Sequence, residues 1–216
     1  MVSDLSLPIF LNDFAFTFLS GDYAIYRFDY YLRALLLIVI FAAPPVRDRT
    51  LHPLGSRRLS REALVAAMLC LLAIPFLVEF WIGPKLWPLQ IFQPLFVWPE
   101  ITEPHLLFFD LTVGLLLVAL TEEIIMRKFA LHWFKARGFG ASGILVWSSL
   151  LFALMHWGGG LTQIVSALCF GAAAMALYMR HQQLWPLIAA HYLANLLMFS
   201  GGGAVAAQFL GLNGDS

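Results

Sequence analysis

Long hydrophobic runs, separated by shorter polar or charged stretches, dominate the chain. A transmembrane helix needs ~20 mostly apolar residues, and a backbone exposed to lipid must satisfy its own hydrogen bonds by forming a helix. The pattern therefore predicts an all-α, polytopic bundle of transmembrane helices with about six spans. We place these spans at residues 30–43, 62–82, 105–129, 142–157, 161–179 and 184–201.

A shorter apolar stretch, at residues 5–19, precedes the first predicted span. Asn12 and Asp13 interrupt this stretch, which is also short for a bilayer crossing. We interpret residues 1–29 as an N-terminal interfacial or re-entrant segment. At the other end, residues 202–216 begin in a glycine-rich stretch and are interpreted as a mobile tail.

The composition excludes an ordinary water-soluble globule. Hydrophobic residues make up 61% of the chain and charged residues 12%, whereas soluble domains contain about 45–50% apolar and about 25% charged residues. The 13 Lys and Arg balance the 13 Asp and Glu, so no net charge favours nucleic acid as a partner. Cys70 and Cys169 both lie in apolar runs, which is not typical of a disulfide framework or a thiolate metal site.

Basic residues are concentrated in alternate connections between the predicted spans. The connection after the first span is the most basic, with Arg47, Arg49, Arg57, Arg58 and Arg61. Cytoplasmic loops of membrane proteins carry an excess of Lys and Arg, so both termini are expected to face outward. We expect a multi-pass integral protein of a bacterial-type inner membrane. Arg27 and Arg33, near the start of the first span, are interpreted as interfacial anchors.

Three polar motifs interrupt the apolar runs in the second half of the chain. Each contains a pair of residues spaced i, i+4, which lie on one face of a helix. The pairs are Glu123 with Arg127, Phe152 with His156, and His191 with Asn195, and Glu122 directly precedes the first pair. Ionisable groups are costly inside a bilayer and usually mark functional sites. We therefore expect the three pairs to face one point in the protein interior. The structural alternatives are an interfacial ion pair for Glu123 and Arg127, a core histidine for His156, and interhelical hydrogen bonds for His191 and Asn195.

The three motifs can form a shared site only if they lie at similar depths in the membrane. Glu122 and His191 are expected in the cytoplasmic half of the membrane, whereas His156 is expected near the outer end of its span. At 1.5 Å per helical residue the mismatch could reach about 10 Å. A third helix that extends to around Phe134, or an early break of the fourth at residues 158–160, would reduce it.

The ordered motifs E-E-x-x-x-R, F-x-x-x-H and H-x-x-x-N, on successive hydrophobic helices, resemble those of the CPBP family. This family comprises the CAAX prenyl endopeptidases of the Ras-converting type and the bacteriocin-processing proteins, and its best-studied members are glutamic intramembrane proteases. The resemblance covers about residues 111–199. It implies that residues 105–201 form the catalytic helical core and residues 30–104 accessory transmembrane helices.

The resemblance also implies a role for each motif residue. Glu122 is expected to be the general base on water, with His156 as water ligand and proton carrier, because a buried glutamate can serve as a base. Arg127 would hold Glu123 and compensate its charge. His191 and Asn195 are similar to the oxyanion-stabilising pair of the family. Phe152 is expected to form the wall beside His156 and to contact substrate.

The expected partners are a membrane-associated peptide or protein substrate and the lipid bilayer, without nucleic acid. Prenylated C-termini, leader peptides and C-terminal sorting tails are all compatible substrates, and the sequence does not choose among them or indicate an oligomeric state. No metal or other cofactor is expected.

Other functions remain open at this point. Two Glu and two His could bind Zn²⁺ in a membrane metalloprotease, although the H-E-x-x-H motif is absent. Serine proteolysis is disfavoured because G-x-S-x-G is also absent. A transporter, an immunity protein or a non-catalytic membrane scaffold could use the same polar residues for proton relay or assembly.

Overall fold

The computed structural model describes residues 23–44, 59–86, 94 and 98–212. All regular secondary structure in these residues is helical, as predicted. The helices are α1 (Ala24–Ala42), α2 (Arg61–Leu86), α3 (Pro104–Lys135), α4 (Ala141–Leu154), α5 (Gly160–His181), α6 (Trp185–Phe199) and α7 (Gly202–Phe209).

Fewer helices than predicted are long and apolar enough to cross a membrane. By length and composition, α2, α3 and α5 qualify among the described residues, and a fourth span results if α6 and α7 are counted as one broken span. The axes of α6 and α7 differ by 79°. Helix α4 is apolar but has only 14 residues. The protein is an integral membrane protein, but the expected count of about six spans is not confirmed.

Several sequence-based expectations concern residues outside the described part of the chain. These are the apolar stretch at residues 5–19, most of the N-terminal segment 1–29, four arginines of the first basic connection (Arg47, Arg49, Arg57 and Arg58), and the end of the tail after residue 212. The described portion shows that α1 begins at Ala24 and continues across the expected boundary at residue 29. In the tail, residues 202–209 form α7.

One hydrophobic core joins the helices around the three polar motifs. Helix α5 packs against α4, α6 packs against α2 and α3, and α1 packs against α3. The core side chains include Ile40 of α1, Ile125 of α3, Phe152 of α4, Met175 of α5 and Ala190 of α6, all at most 1% exposed. The motif-bearing helices α3, α4 and α6 therefore meet in the interior.

Two local features of α3 and α4 help to bring the motifs together. Helix α3 continues six residues beyond the predicted span end at residue 129, to Lys135, and includes a π-helical turn at Ile124–Phe129 directly after the two glutamates. Helix α4 ends at Leu154, just before His156, and a 3₁₀ turn at Trp157–Gly159 leads into α5. Gly160 then adopts φ +82°, a left-handed conformation that glycine tolerates. Both features that the sequence analysis named as ways to reduce the mismatch, an extended third helix and an early break after α4, are observed.

Candidate active site

Glu123 is fully buried and both of its carboxylate oxygens are occupied. Arg127, one turn later on α3, donates from Nε to Oε2 at 2.8 Å and from Nη2 to Oε1 at 3.1 Å. His191 of α6 donates from Nδ1 to Oε1 at 2.9 Å. Glu123 and Arg127 are both 0% exposed, so this carboxylate is compensated by a two-point ion pair and an imidazole.

Glu122 is also buried, but only one of its oxygens is held. Its Oε1 lies 3.0 Å from Nη2 of Arg33, a residue of α1. Its Oε2 is buried and has no hydrogen-bond partner among the described residues. This oxygen lies 3.8 Å from Nε2 of His191, too far for a direct hydrogen bond. Glu122 therefore presents one buried acceptor atom toward the imidazole of α6.

The position of Arg33 corrects its interpretation as an interfacial anchor. The residue is only 6% exposed and its guanidinium contacts three side chains. Nε donates to both oxygens of Asp29, at 2.8 and 2.9 Å, and Nη1 donates to Oγ1 of Thr121 at 2.9 Å. The i, i+4 spacing of Asp29 and Arg33 is the same signal that singled out the other pairs, and it could have identified this one.

His156 follows the end of α4 with its ring orientation fixed. Its Nδ1 lies 2.8 Å from the carbonyl oxygen of Phe152. A carbonyl oxygen only accepts hydrogen bonds, so Nδ1 carries the proton, and in the neutral ring Nε2 is the acceptor. His156 is close enough to Glu122 and His191 for electrostatic interaction with both. The described geometry therefore brings the α4 motif near Glu122 and His191.

Phe152 lies at the centre of the site. Its ring centroid is 4.9 Å from that of His156 and 6.2 Å from that of His191, and the guanidinium of Arg127 lies 4.6 Å above it. Gly171 of α5 allows this position, because a Cβ at residue 171 would come within 3.0 Å of Cδ1 of the Phe152 ring. The Phe152 ring thus links all three motifs through van der Waals and cation–π contacts.

Phe170 of α5 is a further contact that the sequence analysis did not identify. Its ring centroid is 5.1 Å from that of His191, and the ring stacks on Phe152 at 6.2 Å. No polar signal accompanies this residue in the sequence, since a phenylalanine in an apolar run is ordinary core.

Asn195 is the motif residue with the weakest link to the others. It lies on α6 one turn after His191 and is half-buried, and its side chain forms no hydrogen bond with the described residues. Asp110 lies elsewhere: it is buried near the start of α3 and accepts a hydrogen bond from the Tyr30 hydroxyl at 2.6 Å. The structure thus gathers Glu122, Glu123, Arg127, Phe152, His156 and His191, with Asn195 on an adjacent turn.

The part of the chain that the structure describes contains no group of three or more His, Cys, Asp or Glu side chains arranged to hold a metal ion. The carboxylates are instead paired with arginines, Glu122 with Arg33 and Glu123 with Arg127.

A buried centre of paired carboxylates, guanidiniums and imidazoles, built on apolar helices, defines an integral membrane protein with an intramembrane ionisable site. The family model described as type II CAAX prenyl endopeptidase Rce1-like matches residues 104–197. This segment is similar to the CAAX prenyl endopeptidases of the CPBP group, and the resemblance identified from the motifs is confirmed over it. No curated protein and no solved structure matches the chain.

The matched segment contains every motif residue from Glu122 to Asn195, but it does not include α1 and Arg33. The family is one of membrane endopeptidases, which supports protease activity in general and a membrane-associated substrate.

Proposed function

We propose that this protein is a glutamic-type intramembrane endopeptidase, which hydrolyses a peptide bond in a membrane-associated protein or peptide. The observation that carries this proposal is the state of Glu122. Its Oε2 is a buried carboxylate oxygen without a hydrogen-bond partner among the described residues, and it faces an imidazole. A carboxylate in this position can bind a water molecule and accept its proton.

In the proposed first step, Glu122 Oε2 removes a proton from water while the water oxygen bonds to the carbonyl carbon of the scissile amide. The π electrons of the carbonyl move to its oxygen, which becomes an oxyanion. His156 helps to orient the water through Nε2, because its Nδ1 proton is committed to the Phe152 carbonyl. An acceptor nitrogen held in one orientation suits this task.

Two residues of α6 stabilise the oxyanion in this proposal. The Asn195 amide donates a hydrogen bond without adding a charge. His191 donates from Nε2, which requires a proton on both ring nitrogens because Nδ1 already donates to Glu123. A carboxylate then lies near each nitrogen of this imidazolium, Glu123 at Nδ1 and Glu122 at Nε2.

In the second step, the oxyanion electrons re-form the C=O bond, and the C–N bond breaks as its electron pair stays on the leaving nitrogen, which takes up a proton. The proton that Glu122 removed from water reaches this nitrogen with His156 as carrier, so atoms and charges balance. Glu123 and Arg127 do not exchange protons in this scheme. They hold His191 and shape the field at the reacting atoms.

We propose that Phe152 contacts the substrate beside His156, since its ring is in contact with both imidazoles. Residues 105–201 are proposed as the catalytic core. Prenylated C-termini fit the description of the matched family, and leader peptides or C-terminal sorting tails of membrane-associated proteins have the same membrane-adjacent character.

The test uses the purified full-length protein in lipid nanodiscs with candidate peptides from these three classes, and mass spectrometry identifies the products. We expect wild type to cleave one class at a single bond. Glu122→Gln should lower kcat about 10²–10⁴-fold, the usual contribution of a general base. Glu62→Gln, which changes an exposed glutamate at the start of α2, is the matched control and should keep wild-type activity.

The same assay separates this proposal from a zinc-dependent mechanism. After treatment with a strong chelator and removal of the chelator, wild type should retain its full kcat. Loss of activity that added Zn²⁺ restores would assign the reaction to a metalloprotease. Full activity of Glu122→Gln would overturn the glutamic mechanism.

A further inference from the structure

We infer that Arg33 of α1 is a positioning residue for the proposed peptide hydrolysis, although α1 lies outside the segment that matches the endopeptidase family. The Arg33 guanidinium holds Oε1 of Glu122 and thereby directs Oε2 toward the reacting water. This inference rests on the proposed function. It adds a residue that none of the three family-like motifs contains.

The first argument is the geometry of the Arg33 guanidinium. Its three nitrogens each have a different partner: Nε contacts Asp29, Nη1 contacts Thr121, and Nη2 contacts Glu122. Thr121 directly precedes Glu122 on α3, and its hydroxyl in turn donates to the carbonyl oxygen of Leu117 at 2.7 Å. A planar guanidinium fixed at three points has one orientation, so the position of the Glu122 carboxylate is fixed as well.

The second argument is the use of the two carboxylate oxygens. An ion pair to Oε1 alone defines the rotation of the carboxylate and leaves Oε2 available to water. At Glu123, by contrast, Arg127 contacts both oxygens. The single-oxygen contact from another helix is therefore what distinguishes the proposed base from the neighbouring carboxylate.

The third argument is charge. Asp29 and Glu122 are both buried, at 4% and 3% exposure, and Arg33 is the cation that contacts both in the described residues. Removal of this cation would leave the buried Glu122 carboxylate without its ion-pair partner, which is strongly unfavourable. Asp29 acts through Arg33, because it accepts the Nε hydrogen bond and orients the Arg33 guanidinium toward α3.

The test compares Arg33→Met with Arg27→Met, which changes an exposed arginine on the same helix. We expect Arg33→Met to lower kcat at least 100-fold with a change in KM of less than about threefold, because substrate contacts are retained. Arg27→Met should keep wild-type kcat. Arg33→Lys should recover only part of the loss, because an ammonium cannot hold three partners in a plane.

Two further variants keep the inference testable if Arg33→Met folds poorly. Asp29→Asn leaves the Arg33 charge in place and should lower kcat about tenfold. The double variant Arg33→Met/Asp29→Asn should have the same kcat as Arg33→Met, because Asp29 acts through the Arg33 side chain that is already missing. An equal additional loss in the double variant, or wild-type kcat in Arg33→Met, would overturn the inference.

A readout independent of activity distinguishes failure of this inference from failure of the proposed function. If Arg33 and Glu122 are paired, the double variant Arg33→Met/Glu122→Gln should unfold at a higher temperature than Arg33→Met, since one uncompensated carboxylate is removed. A lower unfolding temperature would contradict the pairing. If the unfolding temperatures show the pairing but Glu122→Gln still cleaves the substrate, the proposed function is overturned, and the positioning role of Arg33 with it.

Discussion

Glu122 and Glu123 are consecutive residues of one helix, and both are buried next to an arginine, yet their surroundings differ. Glu123 is paired with Arg127 of its own helix, and both of its oxygens accept hydrogen bonds. Glu122 is paired through one oxygen with Arg33 of another helix, and its second oxygen has no partner among the described residues. Neighbouring helical side chains point about 100° apart, which separates the two environments.

The comparison shows how identical side chains acquire different capacities. A carboxylate with both oxygens occupied is well suited to hold a partner such as His191 in place. A carboxylate held at one oxygen keeps an acceptor for chemistry while its orientation remains defined. The number of occupied oxygens, rather than burial or net charge, separates the two residues.

Among the further variants, the largest effect on kcat is expected from His156→Ala, which changes the surroundings of Glu122. Loss of the proposed proton carrier should lower kcat about 10²–10⁴-fold without unfolding the protein. His132→Ala is a matched control, because Nδ1 of His132 also lies near the carbonyl oxygen four residues earlier, at 3.1 Å. Product formation followed by mass spectrometry should show wild-type rates for His132→Ala. Equal losses in both variants would contradict the role of His156.

Loss of the ion pair of Glu123 should lower the stability of the protein and not only kcat. Arg127→Met leaves Glu123 as a buried carboxylate without its ion-pair partner, which should lower the free energy of unfolding by about 3–5 kcal/mol. The double variant Arg127→Met/Glu123→Gln removes the uncompensated charge and should recover part of this loss. Chemical unfolding in detergent, followed by fluorescence, measures both variants.

Arg137→Met is the control for this experiment. Arg137 is exposed, and its guanidinium lies 3.5 Å above the Trp133 ring. An exposed cation–π contact contributes about 1 kcal/mol or less. A loss in Arg127→Met as small as that in Arg137→Met would show that Glu123 does not depend on its ion pair.

The smallest effect is expected at Glu103, an exposed carboxylate at the start of the same helix. The backbone N–H groups of Leu106 and His105 lower the pKa of Glu103 below its usual value. Its contribution to stability is therefore present above the unfolded-state pKa of about 4.3 and is lost as pH falls through the lower folded-state pKa. Glu103→Ala should slightly lower the unfolding temperature at pH 7 and have less effect near pH 3. The same decrease at both pH values would contradict this N-cap role.

The helical class could be predicted from the long apolar runs, and the candidate site residues could be singled out because burial of ionisable groups is costly. Glu122, His156 and His191 interrupt long apolar runs, so the sequence alone marks them. The family match over residues 104–197 confirms the recognition that these motifs supported. The roles assigned to individual residues remain predictions.

One contact of the site and the number of spans could not be predicted from local patterns. The i, i+4 spacing marks Asp29 and Arg33 as a pair, but it does not indicate the contact of Arg33 with Glu122. Arg33 lies near the expected end of a span, where an arginine ordinarily anchors the helix, and its partner Glu122 is 89 positions away in the chain. Only the packing of α1 on α3 brings them together. The count of about six spans is not confirmed either, because the length of an apolar run does not define where a helix ends: α3 runs on to Lys135, whereas α4 has only 14 residues.

Gly171 gives α5 an influence on the site, although α5 contributes none of the motif residues. A methyl group at residue 171 would press on the Phe152 ring, and this ring lies against both imidazoles. Displacement of the ring would alter the spacing of His156 and His191 without changing any charge. The size of one side chain on a neighbouring helix would therefore change the rate of the proposed reaction by mechanical displacement alone.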